Sequence, residues 1–250
     1  TFAVDAETNQ NNIDRGVVTY AGGIDNSVNN SKGKDHFYSR DIMPAYAHSF
    51  LLTSILSPDY VDVTGDGVTD DDLGDAVKFN YTMVYGADKG YYLWRTPTDS
   101  CKANYNEGLK TYRRDDKATY MFGKKEVWYL NSIESKTMIA VFVTSSDRDD
   151  DLGVKDENGA VDYNKRLRKL DRIDLYSKAD LVKNGTALAR PIKSVHFDYG
   201  YDLCKNAPNS IPGQGKLTLK KIWFTYNGNF KLRKNPYEFY YHPDSNKQPL

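Results

Sequence analysis

The sequence predicts an all-β protein of consecutive antiparallel hairpins that form one extended or curved sheet, with few short helices. The first observation is the composition, which includes 20 Tyr and 10 Phe among 250 residues. The second is a series of short stretches rich in Val, Ile, Tyr, Phe and Thr, each bounded by Gly, Asp, Asn or Pro. The third is an internal repeat. Aromatic and β-branched residues fit a pleated sheet, and Gly, Asn, Asp and Pro fit the turns that join its strands.

Individual strands follow from alternation of apolar and polar residues. The clearest case is 195–201, where Val195, Phe197, Tyr199 and Tyr201 occupy every second position. This period of two is typical of a strand that buries one face. Helix signals are few. Only the stretch 177–183 predicts a short helix or turn, and Asn184 and Gly185 follow it as a stop signal. The predicted strands are 17–21, 49–56, 76–85, 91–95, 125–134, 137–144, 167–176, 191–201, 216–226 and 236–241.

The repeat couples a Leu-x-x-Ile stretch to a later strand with alternating aromatic residues. The Leu-x-x-Ile stretches are Leu52–Ile55, Leu130–Ile133, Leu170–Ile173 and Leu219–Ile222. The aromatic strands follow at 77–81, 139–142, 195–199 and 237–241, and three of these carry Phe-x-Tyr. Each pair predicts an outgoing strand, a loop and a return strand. One hairpin is marginal in water, but several in a row share an apolar face and protect each other's edges.

The polarity of the chain changes near residue 45. Residues 1–45 are predominantly polar, which predicts an N-terminal arm with little regular structure. Residues 46–250 are predicted to form the hairpin-repeat domain. The two cysteines, Cys101 and Cys204, are distant in sequence, and both a disulfide and two buried free thiols fit their spacing.

The repeat resembles the hairpins of Rhs/YD-repeat proteins. The stretches 46–55, 125–133, 192–204 and 215–226 are similar to segments of very large cell-surface proteins of the Bacteroidota. The resemblance covers about residues 40–243, although regular YD repeats are shorter and more evenly spaced. It implies a structural segment of a secreted or cell-surface protein, whose partner is the rest of a larger parent chain or a surface assembly.

One motif predicts a metal site. Oxygen ligands recur at Asp62, Thr64, Asp66 and Asp70, and Gly67 allows a sharp turn before the carbonyl of Val68. Calcium takes six to eight hard oxygen ligands, which a tight acidic loop supplies. The loop 62–73 is therefore predicted to hold a structural calcium ion, although Leu73 replaces the bidentate Glu of an EF-hand loop and a solvated acidic turn is the alternative. A second acidic loop, 147–159, lacks this spacing and is predicted to be solvated.

A carbohydrate-binding β-module is the alternative function. Such modules bind sugars on exposed aromatic side chains, and Trp94, Trp128, Tyr91 and Tyr92 are the candidates. The opposing interpretation is that these aromatic residues pack inside the sheet.

Charge and motif content argue against several other functions. The 34 basic and 34 acidic residues balance, which does not favour nucleic-acid binding. The longest apolar run, Met138 to Val143, is far shorter than the roughly 20 residues that span a bilayer. The chain has no Gly-x-Ser-x-Gly or His-Glu-x-x-His motif, and its carboxylates suggest no catalytic pair, so the sequence predicts a protein that is not an enzyme.

Overall fold

A computed structural model describes residues 1–5, 16–109 and 115–241. Antiparallel strands dominate these ranges, and the predicted all-β class is confirmed. The strands are β1 Phe2–Val4, β2 Val17–Thr19, β3 Ser54–Leu56, β4 Ala76–Tyr85, β5 Tyr92–Thr96, β6 Lys102–Tyr105, β7 Asp116–Thr119, β8 Met121–Lys125, β9 Val127–Glu134, β10 Met138–Ser145, β11 Leu152–Asp156, β12 Gly159–Arg166, β13 Lys169–Ser177, β14 Lys193–Leu203, β15 Lys216–Tyr226 and β16 Tyr237–Glu238.

One sheet holds all four repeated hairpins. Its eight strands lie in the order β16-β15-β14-β13-β10-β9-β4-β3, so each strand pairs with the next repeat strand along the chain. The four hairpin units are β3–β4, β9–β10, β13–β14 and β15–β16, and we call the whole assembly the hairpin sheet. The chain leaves this sheet twice, between β4 and β9 and between β10 and β13.

The register of the hairpin sheet repeats from unit to unit. Inside each unit, the Ile of Leu-x-x-Ile pairs with the residue two positions before the Phe. The pairs are Ile55–Val77, Ile133–Ala140, Ile173–Val195 and Ile222–Tyr237. Between units, the Phe pairs with the next Ile, as in Phe79–Ile133, Phe142–Ile173 and Phe197–Ile222. In unit 2 this equivalence places Phe142 at the Phe position and Thr144 at the Tyr position.

A β-bulge recurs at each joint between units. The register shifts between Asn80 and Tyr81, between Val143 and Thr144, and between Asp198 and Tyr199. Leu and Ile lie three residues apart, whereas Phe and Tyr lie two apart, so one extra residue on the Leu-x-x-Ile strand brings all four side chains to one face. The extra residues are Asn131, Asp171 and Lys220.

Neither face of the hairpin sheet is fully covered. The Leu, Ile, Phe and Tyr positions of the three inner joints are all half-buried. The chain has an accessible surface of 16037 Å², whereas a compact monomer of 28.5 kDa has about 11,300 Å². The exposed segment 40–53 and the half-exposed sheet faces both contribute to this excess.

The best-buried core lies outside the hairpin sheet. A four-stranded sheet, β1-β7-β6-β2, a two-stranded antiparallel sheet, β5–β8, and a hairpin, β11–β12, form what we call the insertion module. Phe2, Val4, Val18, Tyr20, Ala103 and Ala118 are buried together there. The N-terminal segment therefore differs from the predicted arm, because it supplies four of these six core residues, and β6 and β7 supply the other two. The predicted strand at Val17 is present, whereas residues 6–15 lie outside the described ranges.

Buried Arg95 ties the parts of the insertion module together. Its Nη2 donates to the Tyr20 hydroxyl (2.9 Å), its Nε donates to the carbonyl of Glu157 (2.7 Å), and its guanidinium lies 4.2 Å from the ring centre of Tyr120. These contacts join β5 to the four-stranded sheet and to the β11–β12 turn. Burial raises the pKa of Tyr20, although Arg95 acts in the opposite direction.

The second acidic loop connects the insertion module to the hairpin sheet. The prediction that it is solvated is wrong for Asp150, whereas Asp147 and Asp156 are exposed. Asp150 is 1 % exposed and accepts from Arg148 Nε (2.6 Å) and from the backbone N–H of Leu217 (3.1 Å). Asp151 accepts from Lys216 Nζ (2.8 Å) and also pairs with Arg148. Asp150 is buried because it has basic and backbone partners, which sequence spacing does not reveal.

The predicted helix is present and longer than expected. Helix α1 spans Lys178–Leu188 and is broken at Gly185, whose φ of 67° lies in the left-handed region that glycine tolerates. None of the helices in the described ranges has the length and apolarity needed to cross a membrane. Cys101 precedes β6 and carries a free thiol, whereas Cys204 follows β14 in the hairpin sheet.

Candidate functional site

The loop predicted to bind calcium is held in place by unit 1 of the hairpin sheet. It connects β3 to β4, and a bridge between Val61 and Leu73 closes its base. Inside the loop, buried Asp72 accepts from the N–H groups of Val63 (3.1 Å) and Thr69 (2.8 Å) and from the Tyr60 hydroxyl (2.7 Å). Asp72 is therefore the residue that organises the loop.

The hydrogen bonds at Asp72 shift the pKa values of both Asp72 and Tyr60. Donation from the Thr69 N–H and from the Tyr60 hydroxyl holds the pKa of Asp72 below its ordinary value. The same hydrogen bond to Asp72 raises the pKa of Tyr60 to about 12. Both shifts favour the charged carboxylate next to the neutral phenol, which is the state in which the loop has its full set of hydrogen bonds.

The predicted calcium ligands have other partners in this arrangement. Asp62 accepts from the N–H groups of Gly65 (2.6 Å) and Gly67 (3.1 Å), and Thr64 donates to Asp66 (2.7 Å). The ligand positions on the far side of the loop are each bound by a lysine. The Val68 carbonyl accepts from Lys78 Nζ (3.0 Å), and Asp70 accepts from Lys178 Nζ (2.6 Å).

In the arrangement described, the predicted calcium ligands are hydrogen-bonded to groups of the protein itself. No group of three or more His, Cys, Asp or Glu side chains in the described ranges is placed to hold a metal. Two ammonium groups instead supply positive charge to the acidic loop. Calcium binding by the loop 62–73 stays a prediction.

A cleft of about 230 Å³ separates the acidic loop from the hairpin sheet. Lys78, Glu134 and Lys178 line its sheet side, and Asp70 and Tyr60 line its loop side. Burial lowers the pKa of Lys178, but its hydrogen bond to Asp70 and the nearby Glu134 outweigh this effect and raise it. The cleft contains ion pairs that attach the loop to units 1 and 2, and its groups are already paired with each other.

The four candidate sugar-binding aromatic residues do not share one surface. Tyr92 is 4 % exposed, its ring packs against Tyr85 and its hydroxyl donates to the carbonyl of Asp151 (2.6 Å), so it is not available to stack on a sugar. Trp94 covers Gly123 on the paired strand β8. Tyr91 and Trp128 are exposed, but Tyr91 precedes β5 of the insertion module, whereas Trp128 lies on β9 of the hairpin sheet.

The repeat tyrosines have a role that sequence reasoning did not identify. In each unit that ends in Phe-x-Tyr, the Tyr hydroxyl donates to the carbonyl of the Leu in the same unit. The distances are 3.0 Å from Tyr81 to Leu52, 2.8 Å from Tyr199 to Leu170 and 2.9 Å from Tyr241 to Leu219. The first residue and the last residue of the repeat are thus in direct contact. The sequence signal that could have predicted this contact is the recurrence of the Leu and the Tyr at equivalent positions of each hairpin.

A cluster of polar and aromatic side chains lies on units 3 and 4, on the face of the sheet opposite the repeat Ile and Phe side chains. The His196 ring stacks on Trp223 with ring centres 3.8 Å apart, and Arg233 lies over the same indole at 5.3 Å. Burial lowers the pKa of His196, whose Nε2 lies 3.1 Å from Thr225 Oγ1. These residues fill a cross-strand row and have partners within it.

The repeated joint between hairpins is thus the best-defined candidate site of the chain. It combines a fixed register, a bulge and an apolar row, and it occurs three times inside the hairpin sheet. Comparison of the chain with protein-family models, with curated proteins and with solved structures gives no match.

Proposed function

We propose that this chain is a non-enzymatic structural segment of a secreted or cell-surface β-repeat protein that resembles the Rhs/YD type. The observation that carries this proposal is the identical register of the Ile and Phe positions at the three joints between hairpin units. A sequence that repeats its joint in this way extends a sheet by adding equal units.

The cellular location tests the proposal directly. Intact cells of the source organism are treated with a broad-specificity protease, and the chain is detected with an antibody raised against residues 115–241. We expect the epitope to disappear from intact cells while a cytosolic control protein persists. Protection of the epitope until the cells are lysed would contradict a surface or secreted location.

The parent reading frame supplies a second test. We expect further Leu-x-x-Ile and Phe-x-Tyr units to flank the chain, with the same three-residue and two-residue spacings. A parent frame without any such unit on either side would contradict the repeat-segment proposal, whatever the cellular location.

Carbohydrate binding is the second candidate function, and exposed Trp128 is the observation that favours it. Its indole is 45 % exposed on β9. Affinity electrophoresis in gels that contain single polysaccharides tests this function. Retardation that Trp128→Ala abolishes and Trp94→Ala leaves unchanged would support it, and no retardation in any gel would count against it.

Structural calcium in loop 62–73 is a separate part of the proposal, with its own test. The melting temperature is measured in calcium and in chelator, for the natural chain and for Asp66→Asn. A calcium-dependent rise that the substitution removes would support an ion in the loop. Equal melting temperatures would leave Lys78 and Lys178 as the groups that balance the acidic charge.

A further inference from the structure

The two ends of the hairpin sheet are the two halves of one joint. At one end, β3 presents a Leu-x-x-Ile edge, Leu52 to Ile55, and no strand of the described ranges pairs with its outer side. At the other end, β16 and the residues after it present a Phe-x-Tyr edge, Phe239 to Tyr241. Every inner joint of the sheet consists of these same two edges.

Exposure of the side chains distinguishes the ends from the inner joints. The Ile and Phe of the inner joints are half-buried: Ile133, Ile173, Ile222, Phe79, Phe142 and Phe197. At the ends, Ile55 is 54 % exposed and Phe239 is 40 % exposed. Leu52 and Tyr241 are likewise more exposed than their inner counterparts. Within the part of the chain that the structure describes, the terminal apolar groups therefore lack the neighbour that the repeat provides elsewhere.

We propose that a second copy of this chain supplies that neighbour by head-to-tail pairing of the sheets. The Phe-x-Tyr edge of one copy joins the Leu-x-x-Ile edge of the next, so that Phe239 pairs with Ile55 and Tyr241 pairs with Leu52. Thr53 then takes the bulge position that Asn131, Asp171 and Lys220 take inside the sheet. This is strand addition at a sheet edge with a register specified by the bulge.

The occupant follows from the continuity of the interface. The chain already makes this joint three times with itself, and both edges of the fourth joint belong to the same sequence. Because the two edges differ, the contact is heterologous, and copies add in one direction without closing in pairs. The inference rests on the proposed repeat function and concerns the 250-residue chain by itself. In a parent chain a flanking unit would occupy each edge, and where no flanking unit is present a second copy takes its place. The pairing is independent of the cellular location.

Sedimentation of edge variants tests the pairing. The natural chain is expected to sediment faster as its concentration rises. Ile55→Lys blocks one edge and Phe239→Lys blocks the other, so each variant alone is expected to stay monomeric at every concentration. A mixture of the two is expected to form a species of two chains and nothing larger, because each variant keeps the edge that the other lacks.

The control is Val182→Lys on helix α1, a position that is 86 % exposed and far from both edges in the strand order, and it is expected to assemble as the natural chain does. Circular dichroism of each variant establishes that it is folded, and Leu52→Lys replaces Ile55→Lys if that variant is not. A natural chain that stays monomeric would overturn the pairing. Assembly by one variant alone, or a mixture that stays monomeric, would overturn the head-to-tail geometry. None of these results would bear on surface exposure, which the protease experiment measures.

Discussion

At the residue scale, the hydroxyl group is what distinguishes Tyr from Phe at the last position of the repeat. Tyr199 donates to the carbonyl of Leu170 at 2.8 Å, and the same contact recurs at Tyr81 and Tyr241. That carbonyl lies next to the bulge residue, where the sheet ladder is interrupted. The tyrosine hydroxyl therefore supplies a hydrogen-bond donor to this carbonyl, which a phenylalanine at the same position could not do.

Tyr199→Phe should lower the stability of the folded chain without changing its fold. It removes one half-buried hydrogen bond and keeps the ring, so we expect the free energy of unfolding to fall by about 1 kcal/mol. Urea unfolding followed by circular dichroism measures this change. Tyr163→Phe, in which the ring is exposed, is the matched control and should be neutral. Equal stability of the natural chain and the Tyr199 variant would show that the hydroxyl contact contributes nothing.

The environment of a single residue could be predicted from the sequence where the two-residue period of a strand determines which face its side chain lies on. It could not be predicted where burial depends on contacts with distant segments. The Ile and Phe positions were predictable because spacing along a strand fixes the face. The burial of Tyr92 was not, since it depends on Tyr85 and on Asp151, which lie on other elements. The carboxylate that organises the calcium-type loop, Asp72, was outside the predicted ligand set because its partners are backbone N–H groups.

At the element scale, strands with repeat spacing were predictable and strands with polar composition were not. Strands β4 and β15 have the predicted bounds, 76–85 and 216–226. Strand β7, Asp116–Thr119, contains two charged residues and is a strand because it pairs with β1 and β6. The hairpin β11–β12 begins inside the acidic stretch predicted to be solvated. Its formation depends on the partners that bury Asp150, which a local pattern does not contain.

The acidic loop gives the prediction at this scale. Asp72→Asn should loosen the loop 60–73, because an amide accepts more weakly than a carboxylate from the N–H groups of Val63 and Thr69. We expect thermolysin to cleave the variant within this loop faster than the natural chain at neutral pH. Mass spectrometry of the fragments locates the cut.

Asp71→Asn is the matched control for this experiment. Asp71 is exposed and accepts from the Thr69 hydroxyl (2.6 Å), but it makes no hydrogen bond to loop backbone among those described. Its loop should be cut at the natural rate. Equal cleavage of both variants would mean that the lysine contacts at Val68 and Asp70, rather than Asp72, hold the loop.

At the scale of the whole molecule, a half-exposed repeat sheet is attached to a smaller module that holds the best-buried core. The order of the hairpins was predictable because each unit contacts its sequence neighbour. The insertion module was not, because it gathers strands from three distant parts of the chain around Arg95. The two parts meet at Arg148, Asp150, Asp151 and Lys216, where ion pairs take the place of a continuous apolar core.

This junction makes the stability of the whole chain depend on pH in a defined direction. Burial raises the pKa of Asp151, but Lys216 and Arg148 outweigh burial and hold it below its ordinary value of 3.8. A carboxyl with a lowered folded-state pKa contributes stability above its unfolded-state pKa. That contribution is lost as the pH falls through the folded-state value.

Asp151→Asn should therefore be less stable than the natural chain at neutral pH, by about 1 to 2 kcal/mol for a charged hydrogen-bonded pair that water partly screens. The difference should stay constant down to about pH 5 and shrink below about pH 4, because the natural carboxyl then takes up its proton. Urea unfolding at a series of pH values measures it. Lys216→Gln should reproduce the profile, whereas Lys155→Gln, at an exposed position of β11, should follow the natural chain. A stability difference that does not change between neutral and acidic pH would refute the assignment of this acid sensitivity to the junction.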